Sequence, residues 1–106
     1  DGLFAYRWGD NELLISGDGQ QDALYELSST DIILFKRHPE ATSARNLLQC
    51  RAGEMFAAGK RIGIVLLCGG EKLVAVIVKE AAQDLEIRNG MEVFAAIKAT
   101  AFRHLG

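Results

Sequence analysis

Two short stretches of this sequence carry side chains able to hold an anion. In Thr42-Ser43-Ala44-Arg45-Asn46, two hydroxyls, a guanidinium and a carboxamide stand between a proline-containing turn and an apolar run. In Ile97-Lys98-Ala99-Thr100, a lysine interrupts an apolar strand and a hydroxyl follows it. Backbone N–H groups at turns and strand starts form concave nests, and a nearby cation with small hydroxyl side chains completes an oxyanion site without a basic surface. Ordinary structural chemistry also accounts for each residue. Arg45 can cap a neighbouring carbonyl, Ser43 and Asn46 are turn formers, and Lys98 can carry its ammonium from a strand edge to water. The residue types alone leave both readings open.

Other chemistries lack their residues. The stretch Gly53 to Arg61 resembles a phosphate-binding P-loop, but too many residues separate Gly53 from Gly59, and Arg61 stands where Ser or Thr is required. It reads as a hairpin tip. His38 and His104 have no second ligand at metal spacing and are expected on the surface or in turns. Ser43 lacks a G-x-S-x-G setting, and the acidic residues of the QDLE and GDNE stretches read as solvated turns, so no general acid and base and no enzyme activity are expected. Cys50 and Cys68 lack C-x-x-C spacing and are read as reduced, packed thiols, with a disulfide as the alternative.

Hydrophobic residues make up 49% and charged residues 25% of the 106, the usage of a folding chain, enough for one small domain or a complete small barrel with part of a neighbour. The formal net charge is -2 and Lys and Arg are scattered, so no nucleic-acid partner is expected. The longest apolar run, Ile64 to Cys68, falls far short of the about 20 residues that span a bilayer, so no direct membrane insertion is expected. The N-terminal DGLFAYRW shows no secretory signal and no initiator Met, which suggests a fragment or a processed chain.

The elements that must position the two stretches are short and β-rich. Strands are predicted over 3–8, 12–17, 23–27 and 31–36, and again over 46–56, 60–68, 72–79 and 92–102, with hairpin connections near 57–60 and 69–72. Residues 79–90 break the pattern. Ala81, Ala82, Leu85 and Ile87 suit a turn and a half of helix, and Asn89-Gly90 supplies a stop. Short strands, one small helix and no βαβ alternation predict an all-β fold, an OB-fold-like β-barrel. A boundary is expected at 38–42, with an additional β segment over 1–38 and the barrel over 42–106. Residues 24–35 and 92–102 echo each other, each pairing two strand-like runs across a small-residue step, which alone does not establish a repeat.

Together, TSARNLL opening a barrel and the stretch from Leu73 to Phe102 closing it resemble the molybdate-binding Mop domain, of the transport-associated OB (TOBE) class. The resemblance covers residues 42 to about 104. The preceding stretch from Leu24 resembles the region leading into that domain in the ATP-binding subunit of molybdate ABC transporters. It implies an OB-like barrel of Mop/TOBE type, a homodimer or higher homo-oligomer, and molybdate or tungstate bound at subunit interfaces, with no other cofactor or metal. Carried over by motif, Ser43, Ala44, Arg45 and Asn46 form one wall, through backbone N–H groups and the serine hydroxyl. Lys98 supplies positive charge, with Ala99 and Thr100 beside it. The sequence departs from the family at Val78 and Ala81, where hydroxyl side chains are often found. The implied function is regulatory: a cytoplasmic region, peripheral at the inner face of the membrane, attached to a nucleotide-binding domain and a membrane subunit, that limits molybdate uptake. A ligand-free dimerisation module, a storage protein or a transcription regulator are the alternatives, and the first 37 residues argue against the last two.

Overall fold

The computed structural model describes residues 2–17, 19 and 22–105. In chain order the strands are β1 (Leu3–Trp8), β2 (Asn11–Ser16), β3 (Leu24–Leu27), β4 (Ile33–Phe35) and β5 (Asn46–Ala58). They continue with β6 (Arg61–Cys68), β7 (Glu71–Val78), β8 (Glu92–Ile97) and β9 (Phe102–Leu105), and helix α1 (Lys79–Leu85) follows β7 directly. Residues 18, 20 and 21, between the strands predicted over 12–17 and 23–27, lie outside those described.

Five strands form one antiparallel sheet in the order β4-β8-β5-β6-β7. The connections expected near 57–60 and 69–72 are two-residue hairpin turns, since Ala58 pairs with Arg61 and Cys68 with Glu71. Gly69 and Gly70 both sit at positive φ, 56° and 90°, the conformation such turns demand and a Cβ resists. Strand β5 is long because it serves two partners: Asn46–Arg51 pair with β8, and the stretch from Arg51 to Ala58 pairs with β6. Its register slips between Ala52 and Met55, and this bulge bends the strand so that the sheet curls over its own core. Ile64, Leu66 and Cys68 of β6, Ala75 of β7 and Val93, Ala95 and Ile97 of β8 fill that core. The fold is all-β with one short helix, as the sequence predicts.

The helix stops earlier than Asn89-Gly90. Glu86 takes the left-handed conformation (φ 54°), and its N–H caps the carbonyls of Ala82 and Gln83. Burial of Ile87 in the core draws the chain off the helix axis at that point.

The stretches flanking residues 38–42 share structure. Strand β4 pairs with β8 (Ile33 with Ala96, Phe35 with Phe94), and β3 pairs with β9 (Leu24 with Leu105, Leu27 with Phe102). The echo between 24–35 and 92–102 thus has a spatial counterpart. Each is a strand, a single 3-10 turn and a strand, and the two units pair crosswise. In one corner Asp31 N–H donates to the Ser28 carbonyl (2.9 Å); in the other Ala101 N–H donates to the Lys98 carbonyl (3.0 Å). The single strand predicted over 92–102 is therefore two strands, broken at Lys98 by that local bond. Hairpin β1-β2 lies against this layer. Its aromatic side chains alternate toward the protein, Tyr6 meets the Tyr25 ring edge-on at 5.2 Å, and Tyr6 Oη donates to the Ala23 carbonyl at 2.8 Å.

Candidate functional site

Asn46 begins β5 and is 4% exposed, the one buried polar side chain among the described residues. Its Nδ2 donates to the carbonyls of Leu14 (2.9 Å) and Ile97 (3.1 Å), and its Oδ1 accepts from Leu14 N–H (2.7 Å). Both hydrogens of the carboxamide are thereby used. An anion needs donors, so the Asn46 side chain has none left for one. Instead it ties β2 to the ends of β5 and β8 and holds the two candidate stretches in register.

Residues 42–45 form a loop that satisfies itself. Ala44 N–H donates to Thr42 Oγ1 (3.1 Å), while Arg45 Nε and Nη2 donate to the carbonyls of Ser43 (3.2 Å) and Thr42 (3.3 Å). Thr42, Ser43 and Arg45 are exposed. These are long bonds on the protein surface, where water replaces them at little cost, so the guanidinium can exchange a carbonyl for a stronger anionic acceptor.

Antiparallel pairing sets Asn46 opposite Ile97, so Arg45 and Lys98, the next residues outward, leave the sheet at the same end. Lys98 is exposed and makes no ion pair with the described residues, Ala99 is buried, and Thr100 is exposed. Lys98 and Thr100 line a cavity of about 340 Å³ together with Thr30, Asp31, Ile33 and Ala101. It lies across the two crosswise-paired corners, on the β4 side of β8, and no residue of 42–46 lines it. The structure therefore brings the stretches to one end of the sheet without joining them around one space.

Sequence reasoning missed Thr30 and Asp31. The echo between the two β units was the available signal, because Thr30 holds in the first corner the place that Thr100 holds in the second. Thr30 Oγ1 lies 2.9 Å from Ser28 Oγ. Asp31 places a carboxylate beside the one lysine of the cavity and opposes any anion there. Val78 and Ala81 line a neighbouring cavity of about 380 Å³ that shares Thr30 and Ile33 with the first. His38 is exposed, its Nδ1 2.9 Å from the Pro39 carbonyl, and His104 packs against Tyr25, both as turn or surface residues. Among the described residues no three side chains gather to hold a metal ion, and no helix is long and apolar enough to cross a membrane.

A family model described as the TOBE domain matches residues 42–103. A molybdenum import ATP-binding protein, ModC, of Mannheimia succiniciproducens is 28% identical over 88 residues, covering 83% of this chain and 25% of that protein. The chain thus spans about a quarter of the length of this curated relative. Among solved structures, a molybdate-binding protein from Sporomusa ovata is 32% identical with a TM-score of 0.57, covering 62% of this chain and 98% of that one. The cytoplasmic molybdate-binding protein ModG, solved with molybdate bound, superposes with a TM-score of 0.71 at 23% identity, over 77% of this chain and 60% of that one, a likeness of fold.

Proposed function

This chain belongs to the TOBE domain family, and from that premise we propose that it is the oxyanion-binding regulatory region of an ABC importer's ATP-binding subunit, with molybdate or tungstate as ligand. The observation that carries this reading is the register of β5 against β8, which brings Arg45 and Lys98 to one end of the sheet and sets Lys98, without an ion pair among the described residues, beside Thr100. A tetrahedral dianion needs one or two cations when hydroxyls and backbone N–H groups converge on it. Within one chain the two stretches face different spaces, so the ligand is held between two copies, Ser43–Arg45 of one meeting Lys98–Thr100 of the other. Asn46 acts by positioning, not by contact.

The molybdate-binding proteins of similar fold support the ligand, and the molybdenum import ATP-binding relatives support the setting. That setting is cytoplasmic, at the inner face of the membrane, beside a nucleotide-binding domain and a membrane subunit. A ligand that prefers one arrangement of the pair shifts the population toward it, and so biases the attached ATPase domains and limits uptake. Calorimetric titration of the chain with molybdate, tungstate and sulfate is the test. Saturable heat is expected for molybdate, with loss in Lys98→Ala; no heat and no thermal shift at millimolar molybdate would falsify the ligand.

Val78 and Ala81, where the family often carries hydroxyls, favour a second reading: a dimerisation module that binds nothing. A buried oxyanion with a missing donor loses about 1–3 kcal/mol. Sedimentation separates the two, because the second reading requires a ligand-independent dimer together with an absence of heat.

A further inference from the structure

Two thiols take no part in the proposed anion site. Arg51 pairs with Leu67 and Ala52 with Leu66, and the same register sets Cys50 of β5 opposite Cys68 of β6. Both are free and buried in the core, Cys50 4% and Cys68 0% exposed, with their sulfurs 2.7 Å apart. Directly opposed residues of an antiparallel pair have Cα atoms about 4.5–5.5 Å apart, inside the span that a disulfide accepts, so a bond can form without moving a strand. A bridging metal at about 2.3 Å from each sulfur would have to push the pair apart.

We propose that Cys50 and Cys68 are an oxidative modification site that takes a small, uncharged hydroperoxide and closes to an intrachain disulfide between β5 and β6. Cys50 Sγ donates to the Leu48 carbonyl at 3.6 Å and so keeps its proton, while the contact between the sulfurs lowers the Cys68 thiol below its usual range and, with burial, pushes Cys50 far up. Cys68 is thus the attacking thiolate and Cys50 the reserve thiol. Cys68 sulfur attacks one peroxide oxygen, the O–O bond breaks, and the departing hydroxide leaves as water with a proton, giving a sulfenic acid on Cys68. Cys50 sulfur then attacks Cys68 sulfur, the S–O bond breaks, and a second water leaves with the Cys50 proton. Two thiols and one hydroperoxide become one disulfide and two waters when the oxidant is hydrogen peroxide, a two-electron oxidation. Burial selects the oxidant: hydrogen peroxide can penetrate to the pair, whereas the charged tripeptide arms of oxidised glutathione cannot.

The test treats the reduced 106-residue chain with stoichiometric hydrogen peroxide or, in parallel, with oxidised glutathione, then alkylates in denaturant. Peroxide is expected to give a monomer lighter by two hydrogens, without alkylatable thiol, its peptides joined through residues 50 and 68, and reversed by dithiothreitol. Closing the loop is expected to raise Tm by about 10 °C, and closure by glutathione disulfide is expected to be at least about tenfold slower. Thiols that remain alkylatable after peroxide overturn the proposal. So do a product carrying two added oxygens on one cysteine, a bond between two chains, or equal closure rates with the two oxidants.

Discussion

The two stretches that look alike in sequence differ in what the fold asks of them. Residues 42–46 bond within the protein: Asn46 spends its donors on Leu14 and Ile97, and the exposed Arg45 lies on the carbonyls of its own loop. In residues 98–100 Ala99 is buried, and Lys98 and Thr100 are turned outward on a cavity. A polar residue type states what a side chain can bond, but burial decides whether that capacity is consumed by the protein or kept for a ligand. Asn46 spends its side chain on the scaffold, whereas Lys98 and Thr100 stay exposed on a cavity.

The largest expected effect breaks the scaffold. Asn46→Ala leaves the Leu14 N–H and two carbonyls without partners, and urea unfolding should show a loss on the order of 3–5 kcal/mol. A loss below about 1 kcal/mol would mean that the clamp does not hold hairpin β1-β2 to the sheet. Next, Lys98→Ala should weaken molybdate binding by roughly 10- to 100-fold while leaving stability within about 0.5 kcal/mol. Arg45→Ala should cost binding less, about 3- to 10-fold, because its guanidinium must first leave the loop carbonyls. If Arg45→Ala proves the more damaging in calorimetry, the assignment of the two stretches is reversed.

Smaller still, Asp31→Asn removes the carboxylate from the Lys98 cavity and should tighten anion binding by about two- to fivefold, an effect that shrinks with added salt. Unchanged affinity at low salt would place the ligand away from that cavity. The smallest effect is a control distant from both stretches. Lys36 Nζ donates to Glu86 at 2.8 Å and lowers the Glu86 carboxyl below its usual range. A carboxyl lowered in the folded state adds stability above its ordinary pKa and loses it as pH falls through the folded value. The Tm difference between the wild type and Lys36→Ala should therefore be slight at neutral pH and disappear in acid, once the pH has fallen through the lowered folded value. Molybdate affinity should not change in this variant.

Much of the fold was legible because strand chemistry is local. Alternating aromatics mark β1, and Gly59 and Gly69-Gly70 mark the hairpins, since backbone conformation at these points depends on the residue itself. The helix end was less legible. Asn89-Gly90 is a strong stop, yet burial of Ile87 ended the helix at Glu86, a non-glycine residue that adopts φ 54° there. The break at Lys98 was hidden for the same reason: nothing in the run from Glu92 to Phe102 other than Lys98 is unsuited to a strand, and crosswise pairing of two β units imposed the corner.

By itself, the sequence determined the class of fold, the two polar stretches and, through the TSARN and IKAT resemblance, the family and the chemistry to look for. Only the tertiary structure decided that Asn46 is a clamp, that Thr30 and Asp31 share a cavity with Lys98, and that Cys50 faces Cys68 across a strand pair. Residue types and turns act over a few positions, so a linear reading recovers them. Register and burial couple residues far apart in the chain, Asn46 with Ile97 and Leu24 with Leu105, and only closure of the sheet determines which of those pairs meet.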